Sequence, residues 1–202
     1  MAKIAVDVVL LPSREMADRA IEANRGLLGQ SVGKIVLAKD DCLPHISLAM
    51  GCIDEGDIAG IEKILQTIAE KYPAGCLSAV GIRTEANSAG EQVSAFQIER
   101  TETLQSLHEE IMRKLSPYFS YDVTPDMVFS GTAGTSTLLW IKNYPRNSSF
   151  ERFSPHITIG YGQVNDSSFP MKFAVSKLAL CHLGNHCTCR KILASARPKN
   201  RA

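Results

Sequence analysis

Two short segments of this chain repeat one order of residue types: Leu43-Pro44-His45-Ile46-Ser47-Leu48 and Ser154-Pro155-His156-Ile157-Thr158-Ile159. In each, a Pro precedes a His, and a hydroxyl residue stands two positions after it. Apolar residues interleaved with polar ones suit a strand, in which residues i and i+2 point to the same face. His45 and Ser47 are therefore expected on one face, and His156 and Thr158 likewise, with Ile46, Leu48, Ile157 and Ile159 turned to the core. Pro lacks an N–H and is tolerated at a strand's first residue, so it marks where each strand begins.

Two such faces brought together make an acid and a base. Breaking a phosphodiester requires one proton taken from an attacking water and another given to the leaving oxygen. An imidazole, with a pKa of roughly 6.5, has both protonation states within reach at neutral pH, and each transfer contributes about 10² to 10⁴ in rate. The hydroxyls of Ser47 and Thr158 can donate hydrogen bonds to the non-bridging oxygens as charge builds on them. This chemistry requires no metal and no other cofactor.

The paired frame resembles the two-histidine (2H) phosphoesterase superfamily, whose defining feature is a pair of His-x-Thr/Ser segments on facing strands. The superfamily includes the RNA 2',3'-cyclic phosphodiesterases, also called 2'-5' RNA ligases. The resemblance implies a bilobal, duplicated α+β fold in which two antiparallel sheets face a central groove, with helices packed outside. It also implies hydrolysis of a 2',3'-cyclic phosphate, at an RNA end or on a small nucleotide, to a 2'-phosphate. His45 and His156 would be catalytic, and Ser47 and Thr158 would bind phosphate. Alternatives are ligation or cleavage of 2'-5' linkages, and a non-catalytic module that binds RNA ends or nucleotides. In the bacterial cyclic phosphodiesterases the second segment often looks like Arg-x-Phe-x-Pro-His-x-Thr. Here Phe153 and Pro155 match, Glu151 holds the Arg position, and Arg152 is shifted by one. The first segment has Ser47 and Met50 where that family has Thr and Phe. Arg152, Phe153 and Tyr161 are candidate substrate contacts, with Trp140 and Tyr144 as further aromatics nearby. A third tripeptide, His186-Cys187-Thr188, follows Gly184-Asn185 without a Pro and lacks the frame.

The elements that must position these residues can be read in order. Ile4 to Leu11 is an apolar run interrupted by Asp7, and reads as a buried strand ended by Pro12. Ser13 can cap a helix with Met16, Ala20, Ile21, Leu27 and Leu28 in one stripe, and Gly29 near its end. Lys34–Lys39 reads as a short strand before the first His segment. Asp54 to Tyr72 has Ile58, Ile61, Leu65, Ile68 and Tyr72 at helical spacing and is stopped by Pro73 to Gly75. Leu77 to Thr84 and Gln92 to Glu99 form a hairpin. A third helix runs from Thr101 to Leu115, with His108 on its solvated flank. Residues 120–136 read as a long loop, Thr137 to Lys142 as a strand, and 143–149 as another loop. Lys172 to Cys181 and Cys187 to Ala194 form a last hairpin around a Gly184-Asn185 turn. The order strand, helix, strand, His strand recurs, the second unit being longer through 120–136 and 143–150. Insertions of this kind beside a site serve as lids or binding loops.

At 202 residues and 45% hydrophobic content the chain is expected to form a single domain over residues 1–202. With 22 basic and 21 acidic residues, no strong field favours a long nucleic-acid track. A nucleotide or an RNA end is the expected partner, and a monomer the expected state. The first apolar run is too short to span a membrane, and a cytoplasmic protein is expected. Six Cys show no secreted disulfide framework, and most of them read as core thiols. The sequons at Asn147 and Asn165 then carry no sugar. With a two-residue turn, His182, Cys187 and Cys189 would share a face and could offer three zinc ligands. No fourth ligand or CxxC knuckle accompanies them, so no metal is expected. The tail from Arg197 to Ala202 is basic and expected to fray.

Overall fold

The computed structural model describes residues 2–29, 34–72, 75–87, 90–164 and 168–198. The Pro73-Ala74 helix stop, the Asn165 sequon and the basic tail beyond Pro198 lie outside them. In chain order the elements are β1 (Lys3–Pro12), α1 (Arg14–Leu28), β2 (Ile46–Asp54), α2 (Ile58–Lys71), β3 (Cys76–Ala86), β4 (Gln92–Ile98), α3 (Glu102–Leu115), α4 (Thr135–Asn147), β5 (His156–Tyr161), β6 (Met171–Leu183) and β7 (Cys189–Ala196). The fold is mixed α+β, with antiparallel pairing throughout.

Two separate sheets were expected; the seven strands instead join one sheet, in the order β2-β1-β6-β3-β4-β5 with β7 on β6. The strand β6 makes the join. Its first residues, Met171 to Ala174, pair with β3, and the stretch from Val175 to His182 pairs with β1. The strands that follow His45 and that begin with His156 therefore stand at opposite ends of the path. Neighbouring strands are about 4.8 Å apart, so across five steps a flat sheet would hold them about 24 Å apart. The sheet curls instead, and β2 and β5 approach each other.

Strand β1 is buried from Ile4 to Pro12 because both of its faces are covered. Val6, Val8 and Leu10 join the main core under the helices. On the opposite face Val9 and Leu11 pack with Ala179, Cys181, Cys189 and Leu43 in a smaller cluster. Asp7 shares the parity of that second face.

Three sequence readings are corrected. Residues 34–39 form no strand: Ile35 and Leu37 are buried, and the side chain of Asn24 takes the place of a neighbouring strand, donating to Ile35 O at 3.0 Å and accepting from Leu37 N at 2.9 Å. The run from Thr137 to Lys142 is helical. Its buried residues, Thr137, Ile141 and Tyr144, fall at spacings of four and three, whereas Leu139 and Trp140 are exposed. In the last hairpin, residues 184–188 make the connection and Leu183 pairs with Cys189, so Gly184-Asn185 is not a two-residue turn.

Each His strand carries a bulge at an equivalent place. Along β1–β2 the partners Val9–Ser47 and Val8–Ala49 leave Leu48 as the extra residue, and along β4–β5 the partners Ala95–Thr158 and Ser94–Gly160 leave Ile159. A bulged residue is left out of the ladder, and its polar groups need other partners. A buried side chain meets each carbonyl. His108, on α3, donates from Nδ1 to Leu48 O at 2.6 Å, and Asn24, on α1, donates to Ile159 O at 2.8 Å. His108 is thus fully buried and not on a solvated flank. Its Nε2 accepts from Phe150 N at 2.7 Å, and its ring stacks on Phe153 at 4.1 Å. The helices are exchanged: α1 packs on β5, and α3 packs on β2.

Leaving a buried donor or acceptor unpaired costs about 1–3 kcal/mol. Asn24→Leu strands three such groups and His108→Leu two, so each is expected to lower the unfolding free energy by at least about 2 kcal/mol in a urea titration, Asn24→Leu the more. Losses near zero for both would mean that the bulge carbonyls find other partners.

Candidate active site

His45 stands at the entry to β2 and His156 opens β5. The two rings are held in the same way. Each Nδ1–H donates to the carbonyl two residues earlier, His45 to Leu43 at 2.7 Å and His156 to Ser154 at 2.8 Å. A carbonyl only accepts, so the proton sits on Nδ1, and Nε2 of the neutral ring keeps its lone pair. The supporting carbonyls are themselves anchored. Leu43 N donates to Cys189 O at 2.9 Å, and Ser154 Oγ accepts from Arg83 Nη1 at 3.2 Å.

The expected alternation holds on both strands: Ile46, Leu48, Ile157 and Ile159 are buried, whereas His45, Ser47, His156 and Thr158 are partly open. The imidazoles are close enough for the charge of one to be felt at the other. Burial pushes His45 down to about 4; the Leu43 carbonyl opposes this, and His156 adds to it. Burial also lowers His156, opposed by the Ser154 carbonyl; Arg83 lowers it further and Glu85 acts against that.

The two hydroxyls are not equivalent. Thr158 has no hydrogen-bond partner among the described residues, whereas Ser47 Oγ lies 2.6 Å from Oδ2 of Asp7. Asp7 is fully buried, its Oδ2 is 3.9 Å from His45 Nε2, and its Oδ1 has no hydrogen-bond partner among the described residues. Burial raises its carboxyl to about 8, against the smaller pull of Ser47 and the Ala49 N–H. Tyr144, from α4, and Cys187, from the turn between β6 and β7, are close enough to feel Asp7, and burial raises both above their ordinary values.

Sequence reasoning did not assign two residues of this site. A carboxylate inside an otherwise apolar strand was the available signal for Asp7, since such a group is rarely buried without a task. Arg83 reaches the site across two ladders. Arg83 pairs with Ala95, and Ala95 with Thr158, so the three share a row. No local pattern reports that.

Other candidates lie elsewhere. Phe153 is buried in the core, stacked against His108. The guanidinium of Arg152 donates to Arg146 O at 2.9 Å, at the end of α4. Tyr161 is half-buried, and its hydroxyl meets His186 Nδ1 at 3.0 Å with Lys34 over its ring. Trp140 faces solvent, and Tyr144 is buried. The zinc grouping is not assembled: Cys189 is bonded to Cys181, and His182 Nε2 meets Met127 O at 3.0 Å. No cluster of three metal-binding side chains exists among the described residues. That disulfide takes Cys181 and Cys189 out of the set of thiols and leaves Cys42, Cys52, Cys76 and Cys187 free. His186-Cys187-Thr188 lies in the turn, with positive φ at His186 and Cys187. No helix among the described residues is long and apolar enough to cross a membrane.

Neither a protein-family model nor a curated protein matches the chain in sequence. Among solved structures, that of TT0787 from Thermus thermophilus is similar, with a TM-score of 0.66 and 15% sequence identity over 98% of this chain and 100% of that one. At that identity the likeness is one of fold.

Two groups of opposite sign set the pH dependence of stability here. His45, with a folded value of about 4 below the ordinary 6.5, makes stability fall as pH falls between these values, whereas Asp7, raised from 3.8 to about 8, makes it fall as pH rises over the same range. In an NMR titration His45 is expected to show the Nδ1–H tautomer and a midpoint near 4. A midpoint at the ordinary value would show that the ring is solvated.

Proposed function

We propose that this chain is a metal-independent phosphodiesterase that opens a 2',3'-cyclic phosphate, at an RNA end or on a small nucleotide, to a 2'-phosphate. The observation that supports this reading is the pair of imidazoles. Each is held by its own backbone at Nδ1, each keeps Nε2 free, and they stand on strands that approach one another.

His45 is suited to be the base, because burial keeps it neutral. Its Nε2 takes a proton from water as the water oxygen bonds to phosphorus. The bond from phosphorus to O3' breaks, and His156, as imidazolium, gives O3' its proton. Bound phosphate favours that charged form of His156, because an anion beside an imidazole raises its pKa. Thr158 and Ser47 donate to non-bridging oxygens, and Arg83 supplies the cation that the Glu151 position lacks. Two imidazoles suffice for both proton transfers, so the step runs without a metal.

On this reading the chain is one domain of two pseudo-repeats. The first ends in the His strand β2 and the second in the His strand β5. The matching bulges at Leu48 and Ile159, and the matching ring-to-carbonyl bonds, support that division.

Nucleoside 2',3'-cyclic monophosphate is expected to be hydrolysed in EDTA to the 2'-monophosphate. His45→Ala and His156→Ala should each lower kcat by about 10² to 10⁴. Arg83→Ala should raise KM about tenfold, as loss of a charge-assisted hydrogen bond would. Absence of turnover on cyclic mononucleotides and on an oligonucleotide ending in a cyclic phosphate would overturn the assignment.

A further inference from the structure

The proton transfers above leave Asp7 without a task, yet it touches both Ser47 and the edge of His45. Ser47 has one hydroxyl proton to give. If Asp7 is a carboxylate, that proton points to Oδ2 and only lone pairs face the groove, where they repel a phosphate oxygen. If Asp7 carries a proton, the acid donates to Ser47 Oγ and the hydroxyl proton is free. We propose that Asp7 is a positioning residue whose protonated form aims the Ser47 hydroxyl at a non-bridging phosphate oxygen and whose ionised form disables that contact.

The surroundings fit the neutral form. Asp7 is fully buried, one oxygen has no partner, and no cation is among the groups that act on it. The groups facing it are His45 and Ser47 from the β2 side, Tyr144 from α4, Cys187 from the hairpin turn, and Cys181, its pairing partner on β6, which is held in a disulfide. An ionised Asp7 would also favour the imidazolium of His45 and so remove the base. The corresponding place on β4 is different. Counting through the bulges, Val93 opposite Tyr161 stands where Asp7 stands opposite Met50. The Thr158 hydroxyl makes no hydrogen bond to an acid among the described residues, so its proton is already free.

Burial keeps the proton on Asp7 up to about 8. His45 is pushed below its ordinary range, and Tyr144 and Cys187 above theirs, so the interval from pH 7 to pH 9 belongs to Asp7 among the groups that face it. The proposal rests on the phosphoesterase reading for its ligand, and its test reads binding, not turnover. The probe is adenosine 2'-monophosphate, titrated calorimetrically between pH 7 and pH 9, after a thermal melt has shown each variant to be folded.

Wild-type affinity is expected to fall about tenfold over that interval, as binding restricted to the protonated form requires. Asp7→Asn, whose amide donates to Ser47 at every pH, retains tight binding at pH 9, where the wild type has lost it. In a His156→Ala background, which removes the imidazolium's own pH dependence, Ser47→Ala binds weakly throughout with no fall, and Thr158→Ala binds weakly but keeps the fall. A flat wild-type profile, or the same fall in Asp7→Asn, overturns the proposal. So does a wild type that binds no 2'-phosphate at any pH, since Ser47 would then meet no anion. Binding with the expected profile but no hydrolysis of the cyclic phosphate counts against the enzyme reading and leaves the role of Asp7 standing.

Discussion

The structure depends on what happens to two carbonyls. A bulge after each hydroxyl residue sets the strand that follows out of register and leaves Leu48 and Ile159 outside the ladder. An unpaired carbonyl inside a core is costly, so each needs a donor that is also buried. His108 and Asn24 are those donors, and they come from helices that lie far along the chain from the strands they serve. The first helix holds the second His strand, and the third helix holds the first. This exchange couples the two ends of a curled sheet whose ladder order alone would keep them apart. Gly160 fits the same constraint, since a Cβ there would come within 2.8 Å of the Asn24 amide.

On the proposed reading, two nearly matching segments are given unequal work by what lies behind them. His45 is backed by a buried acid and a disulfide-bonded hairpin, whereas His156 has an arginine at its side and an open threonine beyond it. The neutral side suits taking a proton. The cationic side suits holding an anion and giving a proton. Burying a carboxyl with one oxygen unpaired lowers stability as pH rises from 3.8 to about 8, because over that range the unfolded chain has released a proton that the folded chain still holds. A cost of this kind concentrates at functional sites.

Much of this was legible in the sequence, and the failures have physical causes. The strands around both His segments, the helices α1, α2 and α3, and the β3–β4 hairpin follow from period and punctuation. The helix α4 was hidden because Leu139 and Trp140 put apolar side chains on its outer face, so the run looked continuous instead of periodic. His108 and Asn24 are polar residues on inward faces, where composition predicts solvent, and only the bulges explain them. Arg83 and Asp7 reach the site through cross-strand neighbours. Pairing order is a property of the whole sheet and leaves no trace in the residues adjacent to either one. The disulfide between Cys181 and Cys189 depends on a hairpin register that differs from the simplest two-residue turn.

The bond from each ring to the carbonyl two residues before it has an evolutionary consequence. In many histidine sites the orienting group comes from a distant part of the chain, so moving the histidine alone moves a ring with no fixed tautomer. Here the orienting group travels inside the same short segment. A copying event that transplants a few residues delivers a ring already aimed, with its basic nitrogen outward, onto whatever strand receives it. Such a unit can be duplicated first and specialised afterwards, by substitutions behind it that leave its own geometry intact.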